Sequence, residues 1–167
     1  MLSAAFAGLL SLGIANSCSP AEDPTGPTSS ITPAFTQNDT AGVPVSLNDF
    51  RGSIVVVEFW ASWCGPCRAQ RPWVRDFVAR TRDSGVAMIG VSLDYDLDAW
   101  RSYVRENSLH WTQLSDGRYW DNAVARQFGI SATPTFIIFD REGQRVGERM
   151  SFTQMEKRIG ELLAAEG

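Results

Sequence analysis

This chain is poor in the residues that most often announce a function. Only one of its 15 basic residues is a lysine, Lys157, and no run of Lys or Arg occurs anywhere. With a net charge of −4, that leaves no basic surface for nucleic acid. There is one histidine, His110, and there are three cysteines, Cys18, Cys64 and Cys67. Three cysteines are too few for a disulfide scaffold. A structural zinc ion usually wants four ligands, and Cys18 and His110 are the only Cys or His side chains beyond the Cys64/Cys67 pair. No metal or other cofactor is expected, and His110 reads as a surface or turn residue. The chain has no internal repeat.

What is present is an ordinary globular composition. The chain has 167 residues, 44% of them apolar and 11% aromatic, which suggests one domain with a normal core. Its organising stretch is Glu58-Phe-Trp-Ala-Ser-Trp-Cys-Gly-Pro-Cys67. Residues 53–60 read as a buried strand, rich in β-branched and aromatic side chains and preceded by Gly52. After Cys67 the spacing turns helical, with Trp73, Val74, Phe77 and Val78 expected on one face. Pro72 should kink this helix without ending it, and Ser84-Gly85 closes it. Cys64 therefore falls at a helix N-terminus, where free backbone N–H groups and the dipole stabilise an anion. Such a place favours the nucleophilic thiolate. A C-x-x-C there predicts dithiol–disulfide chemistry.

The remaining elements follow from pattern. Val43-Pro-Val45 suggests a short edge strand, residues 86–93 an apolar strand, and Asp94 to Asp98 the acidic opening of a helix carrying Leu97, Trp100 and Val104. Residues 111–114 read as a short strand, and Asp121 is expected to cap a helix closed by Gly129. Residues 136–139 and 144–149 form a hairpin around Asp140-Arg-Glu-Gly143. Ser151 and Gln154 make a capping box for the last helix. The order β-α-β-α-β-α-β-β-α predicts an α/β fold, with a mixed, mostly parallel sheet and helices on both faces. Trp100, Trp111 and Trp120 read as packing residues.

The N-terminus reads differently. Residues 1–14 are apolar and uncharged, too short to span a bilayer as a mature helix, and they fit the apolar region of a signal peptide. Ala15-Asn-Ser-Cys18 then resembles a bacterial lipoprotein signal, which implies lipidation of Cys18 and a membrane anchor. Ordinary secretion with a free Cys18, and an unprocessed anchor or no export, are the alternatives. Residues 19–33 hold four Pro, three Ser, three Thr and one Gly, a composition that predicts a disordered tether of roughly 20 Å before a domain over 34–167.

Phe59-Trp-Ala-Ser-Trp-Cys-Gly-Pro-Cys67 resembles the active site of the thioredoxin superfamily, and Ala132-Thr-Pro-Thr135 resembles its cis-proline loop. The extra β-α unit over roughly 93–114 resembles the TlpA/ResA-like, AhpC/TSA-related branch. The likeness covers about 35–165. It implies that Cys64 attacks a client protein's disulfide and that Cys67 resolves the mixed disulfide, leaving Cys64–Cys67 oxidised. It implies that Trp63 packs beside the site, that Gly65 and Pro66 set the turn, that the Thr133 backbone pairs with the client, and that Pro134 is cis. A Gly-Pro pair between the cysteines matches reducing thioredoxins, whose potential is roughly −270 mV. The implied partners are disulfide-bearing clients of a bacterial envelope and a membrane electron donor. A role in cytochrome c maturation is within the branch, although Gln70 stands where the ResA-like pattern has a Glu.

Glu58 is a carboxylate in an otherwise apolar strand. Thioredoxins have an acid at the matching place that takes the proton of the resolving thiol, and burial would raise its pKa toward that of a working base. The alternatives are an exposed strand edge or a pairing with an Arg. Other functions weighed are a redox-regulated client-binding or chaperone domain, a disulfide oxidase, and a peroxiredoxin-like peroxidase. The last is disfavoured because Ala61-Ser-Trp63 precedes Cys64 in place of T-x-x-C.

Overall fold

The computed structural model describes Met1 and residues 34–165. The expected signal segment, Cys18 and the tether over 19–33 lie outside the described residues. Among these residues no helix is long and apolar enough to cross a membrane.

The chain opens with an antiparallel ribbon, β1 (Thr36–Asn38) against β2 (Pro44–Ser46). A five-stranded sheet follows, built from β3 (Ile54–Trp60), β4 (Val86–Ser92), β5 (Thr112–Leu114), β6 (Thr135–Phe139) and β7 (Arg145–Met150). Its order is β5-β4-β3-β6-β7. The β3–β4 and β4–β5 pairs are parallel, while β6 runs antiparallel to both β3 and β7. Four strands thus point one way and β6 the other, in line with the expected mixed sheet. The ribbon leans on the β5 edge through an Asp39–Leu114 bridge, which shields that edge.

Four helices cover the faces: α1 (Gly65–Thr81), α2 (Leu97–Glu106), α3 (Ala123–Gln127) and α4 (Phe152–Ala164). The period-two alternation of β3 divides the core between them. Ile54 and Val56 pack with Val74 and Phe77 of α1 and Met155 and Ile159 of α4. Val55, Val57 and Phe59 pack with Trp100 of α2 and Val124 and Ala125 of α3 on the other side. Glu58 has the parity of Ile54 and Val56, so the pleat turns it toward α1.

Two local expectations are corrected. The stripe that α1 buries is Cys67, Gln70, Arg71, Val74, Phe77 and Thr81, spaced mostly three or four residues apart. Trp73 lies off that stripe and is 61% exposed, with its ring 6.4 Å from Phe152. The helix runs through Pro72 without a break. Asp121 does not cap α3. It ends a short 3-10 turn (Tyr119–Asp121), and Asn122 is the cap, its Oδ1 accepting from the N–H groups of Val124 and Ala125 at 3.0 Å each. Asn122 also donates through Nδ2 to Asp116 Oδ1 at 3.0 Å and to the Ser92 carbonyl at 3.3 Å. Asn has donors as well as an acceptor, so it satisfies a buried junction that Asp121, on the surface, does not reach. The Ser151/Gln154 capping box of α4 is present as expected.

Asn122→Ala removes a helix cap and orphans buried partners, and should cost about 2–3 kcal/mol in urea unfolding. Asp121→Ala should stay within about 0.5 kcal/mol. Equal effects would return the cap to Asp121.

Candidate active site

The central strand stops at Trp60, and a four-residue turn carries the chain to α1. Ala61 accepts from the Cys64 N–H at 3.2 Å, and Asp94 fixes the turn from the side. Asp94 is buried just past β4. Its carboxylate accepts from the Ser62 N–H at 3.0 Å, from Ser62 Oγ at 2.6 Å and from Ser92 Oγ at 2.6 Å. The residue read from sequence as opening the next helix thus ties the active-site turn to the neighbouring strand. Asp96 is what caps α2.

Cys64 is the N-cap of α1, and Gly65 and Pro66 fill the first two helical positions. Proline is well placed there, since its missing N–H would have had no helical partner. The Cys67 N–H donates to Cys64 Sγ at 3.2 Å, as the hydroxyl of a capping serine would accept it. Cys64 and Cys67 are joined in a disulfide, so the structure shows the oxidised state. Both are buried, Cys67 completely. Across the turn, the Thr133 carbonyl oxygen lies 3.7 Å from Cys64 Sγ, and the Thr133–Pro134 peptide is cis. Trp63 stands beside the pair, 42% exposed, with ring centroids of Tyr119 at 5.2 Å and Trp120 at 6.3 Å. His110 is exposed, Trp100 is fully buried, and Trp111 and Trp120 are half-buried.

Glu58 is fully buried, which removes the exposed-edge alternative. Its Oε2 accepts from Arg71 Nη1 at 3.0 Å and its Oε1 from Gln70 Nε2 at 3.4 Å. Both partners lie one turn beyond Cys67 on the buried stripe of α1. Burial pushes the Glu58 carboxyl above the ordinary carboxylate range, and the Arg71 charge and the two hydrogen bonds only partly offset it. Arg71 is itself buried. Its Nε and Nη2 have no hydrogen-bond partner among the described residues, and the guanidinium lies 4.5 Å from the centre of the Trp60 ring instead. Arg71 and Asp94 were the site residues that sequence reasoning passed over. The available signal for Arg71 was its position four residues after Cys67, on the face that Cys67 buries.

A family model described as the AhpC/TSA family matches residues 29–145. The chain belongs to the AhpC/TSA family. It is 26% identical over 116 residues to the thiol-disulfide oxidoreductase ResA of Bacillus thuringiensis subsp. konkukian, covering 70% of this chain and 65% of that one. It is 26% identical over 109 residues to the soluble secreted antigen MPT53 of Mycobacterium bovis, covering 65% of this chain and 60% of the antigen. A solved thiol-disulfide oxidoreductase from Bacteroides fragilis superposes with a TM-score of 0.72 at 26% identity, covering 78% of this chain and 97% of that chain. The chain spans just under two thirds of the length of that ResA, and within its family it is a TlpA/ResA-like member with a thioredoxin fold.

A buried ion pair leaves a costly orphan when one partner goes. Glu58→Gln and Arg71→Met should each destabilise the domain by about 3 kcal/mol, and the double variant by clearly less than the sum. Additive losses in a double-mutant cycle by chemical unfolding would mean the two side chains are not coupled.

Proposed function

We propose that this protein is a thiol–disulfide reductase of client proteins in the bacterial cell envelope. One observation carries the reading: the attacking sulfur caps α1, takes the Cys67 N–H, and sits beside the Thr133 carbonyl. In the reduced enzyme Cys64, as thiolate, attacks one sulfur of the client disulfide. A Cys64–client bond forms, the client's S–S bond breaks, and the released client sulfur takes up a proton. Cys67 then gives its proton to Glu58, directly or through one water, and attacks Cys64 Sγ. The second client sulfur leaves as a thiolate and takes up the proton held by Glu58, and two electrons have passed from the dithiol to the client. The product enzyme is the oxidised pair. A membrane electron donor returns two electrons, and one proton restores the Cys67 thiol beside the Cys64 thiolate.

Thr133 pairs with the extended client backbone, and the Gly65-Pro66 dipeptide biases the pair toward reduction. Export, and a lipid anchor on Cys18, are supported by the apolar residues 1–14 and by Ala15-Asn-Ser-Cys18. Likeness to a protein named as a secreted antigen also supports an extracytoplasmic site. The clients are envelope proteins carrying a disulfide that must be opened.

The reduced enzyme should accelerate insulin disulfide reduction, and Cys64→Ser should abolish this. A protein that binds insulin without speeding its reduction is a binding module and not this enzyme. Glu58 must be ionised to accept the proton, so turnover should rise with pH through a midpoint above the ordinary carboxylate range. Arg71 lowers that pKa, so Arg71→Met should move the rise to higher pH. Glu58→Gln should remove the rise and slow turnover by on the order of a hundredfold. An unchanged pH profile in both variants would rule Glu58 out as the acceptor.

A further inference from the structure

Among the described residues few large apolar side chains are exposed, and three of them meet, one being the Trp63 that precedes Cys64. Trp63, Tyr95 and Tyr119 are 42%, 73% and 41% exposed. Their rings form a chain, with Trp63 to Tyr119 at 5.2 Å and Tyr119 to Tyr95 at 6.4 Å, backed by Trp120 at 5.9 Å from Tyr119. Trp63, Tyr95 and Tyr119 line a cavity of about 520 Å³ together with Ser62, Asp94, Asp96 and Ala99.

Three features set this cavity apart from incidental exposure. Its walls are held: Asp94 fixes Ser62, and Tyr119 sits at φ 55°, a left-handed conformation that bulky residues seldom adopt. Its charge is one-sided. The Asp94 carboxylate is taken up by serines, and Asp96 caps α2 with no cationic side chain against it among the described residues. Its position is continuous with the reacting sulfur, because Trp63 is both a wall of the cavity and the residue before Cys64. Two residues of extended chain reach roughly 7 Å, so a client cysteine on Cys64 brings its second or third neighbour over these rings.

We propose that this cavity selects clients, taking a large apolar or aromatic side chain two or three residues from the client cysteine and disfavouring an acidic one. The inference rests on the reductase reading given above and adds the class of client to it. The rings supply flat apolar area to an aromatic guest, and Asp96 repels a carboxylate there.

The test uses the full chain and a peptide series carrying one cysteine as a mixed disulfide with glutathione. The second and third neighbours on either side are Phe, Ala or Glu. The second-order rate constant for release of glutathione by the pre-reduced enzyme in a single turnover should fall in the order Phe, Ala, Glu, with Phe over Ala by on the order of tenfold. Within each variant the Phe/Ala ratio is its own internal reference, and it should drop to about one in Tyr95→Ser and in Tyr119→Asn. Tyr95 is mostly exposed, and Asn tolerates the left-handed backbone, so both variants should fold. A ratio near one in the wild type, or one that survives both substitutions, overturns the proposal. A parallel titration of Trp fluorescence with peptides bearing Ser for Cys reads the cavity without the chemistry. Tighter binding of the Phe peptide supports the proposal even where no glutathione is released, an outcome that would instead sink the reductase reading. Equal binding of all three peptides overturns it. So does a concentration-dependent dimer abolished by Tyr95→Ser, which would give the patch to a second copy of the chain.

Discussion

The hydrogen bond from the Cys67 N–H to Cys64 Sγ, at 3.2 Å, is the contact on which the site depends. It exists because a buried strand ends at Trp60 and a helix begins at Gly65, leaving the cysteine between them as the cap. A thiolate in that place takes a backbone N–H and the positive end of the helix dipole together. The Asp94–Ser62 contacts and the Ala61–Cys64 hydrogen bond hold the turn in the geometry that makes this possible. The Thr133 loop faces it from the start of β6, which is antiparallel to β3 and so brings its opening residues to the same end of the sheet.

Beneath this cap the protein keeps a charge that burial alone would not tolerate. Glu58 takes the α1-facing parity of a strand otherwise filled by Val, Ile and aromatic residues. Among the described residues, the guanidinium of Arg71 and the amide of Gln70 are what reach it. The pair is held by stacking on Trp60 as well as by the ion pair. Replacing such a pair with apolar side chains is often neutral or stabilising, so stability by itself gives little reason for it. The proposed role of Glu58 as proton acceptor for the buried Cys67 thiol would give one.

Much of this was legible in the sequence, for particular reasons. Strands β3, β4 and β6 are long apolar runs with sharp boundaries, and the C-x-x-C lies where period two changes to period 3.6. Ser151/Gln154 and Gly129 are strong end signals. β1 was not legible, because three polar residues, Thr36 to Asn38, carry no periodic pattern and become a strand only against β2 and β5. Asp121 and Asn122 are both good caps, and only the packed junction distinguishes them. Trp73 sits where helical spacing nearly matches the buried stripe, so its exposure depends on how α1 is rotated. Arg71 carries no signal because a single Arg in a helix reads as surface, and Asp94 reads as one of three acids opening a helix. Their burial is a product of the tertiary fold.

The central claim is that the helix cap makes Cys64, and not Cys67, the nucleophile. The direct measurement is alkylation of the fully reduced protein by a limiting amount of iodoacetamide across a pH series, with the modified residue located by mass spectrometry. The account predicts label confined to Cys64, and still rapid at pH 6, where an ordinary thiol is almost wholly protonated. Label shared equally between Cys64 and Cys67, or a Cys64 inert until ordinary thiols react, would contradict it.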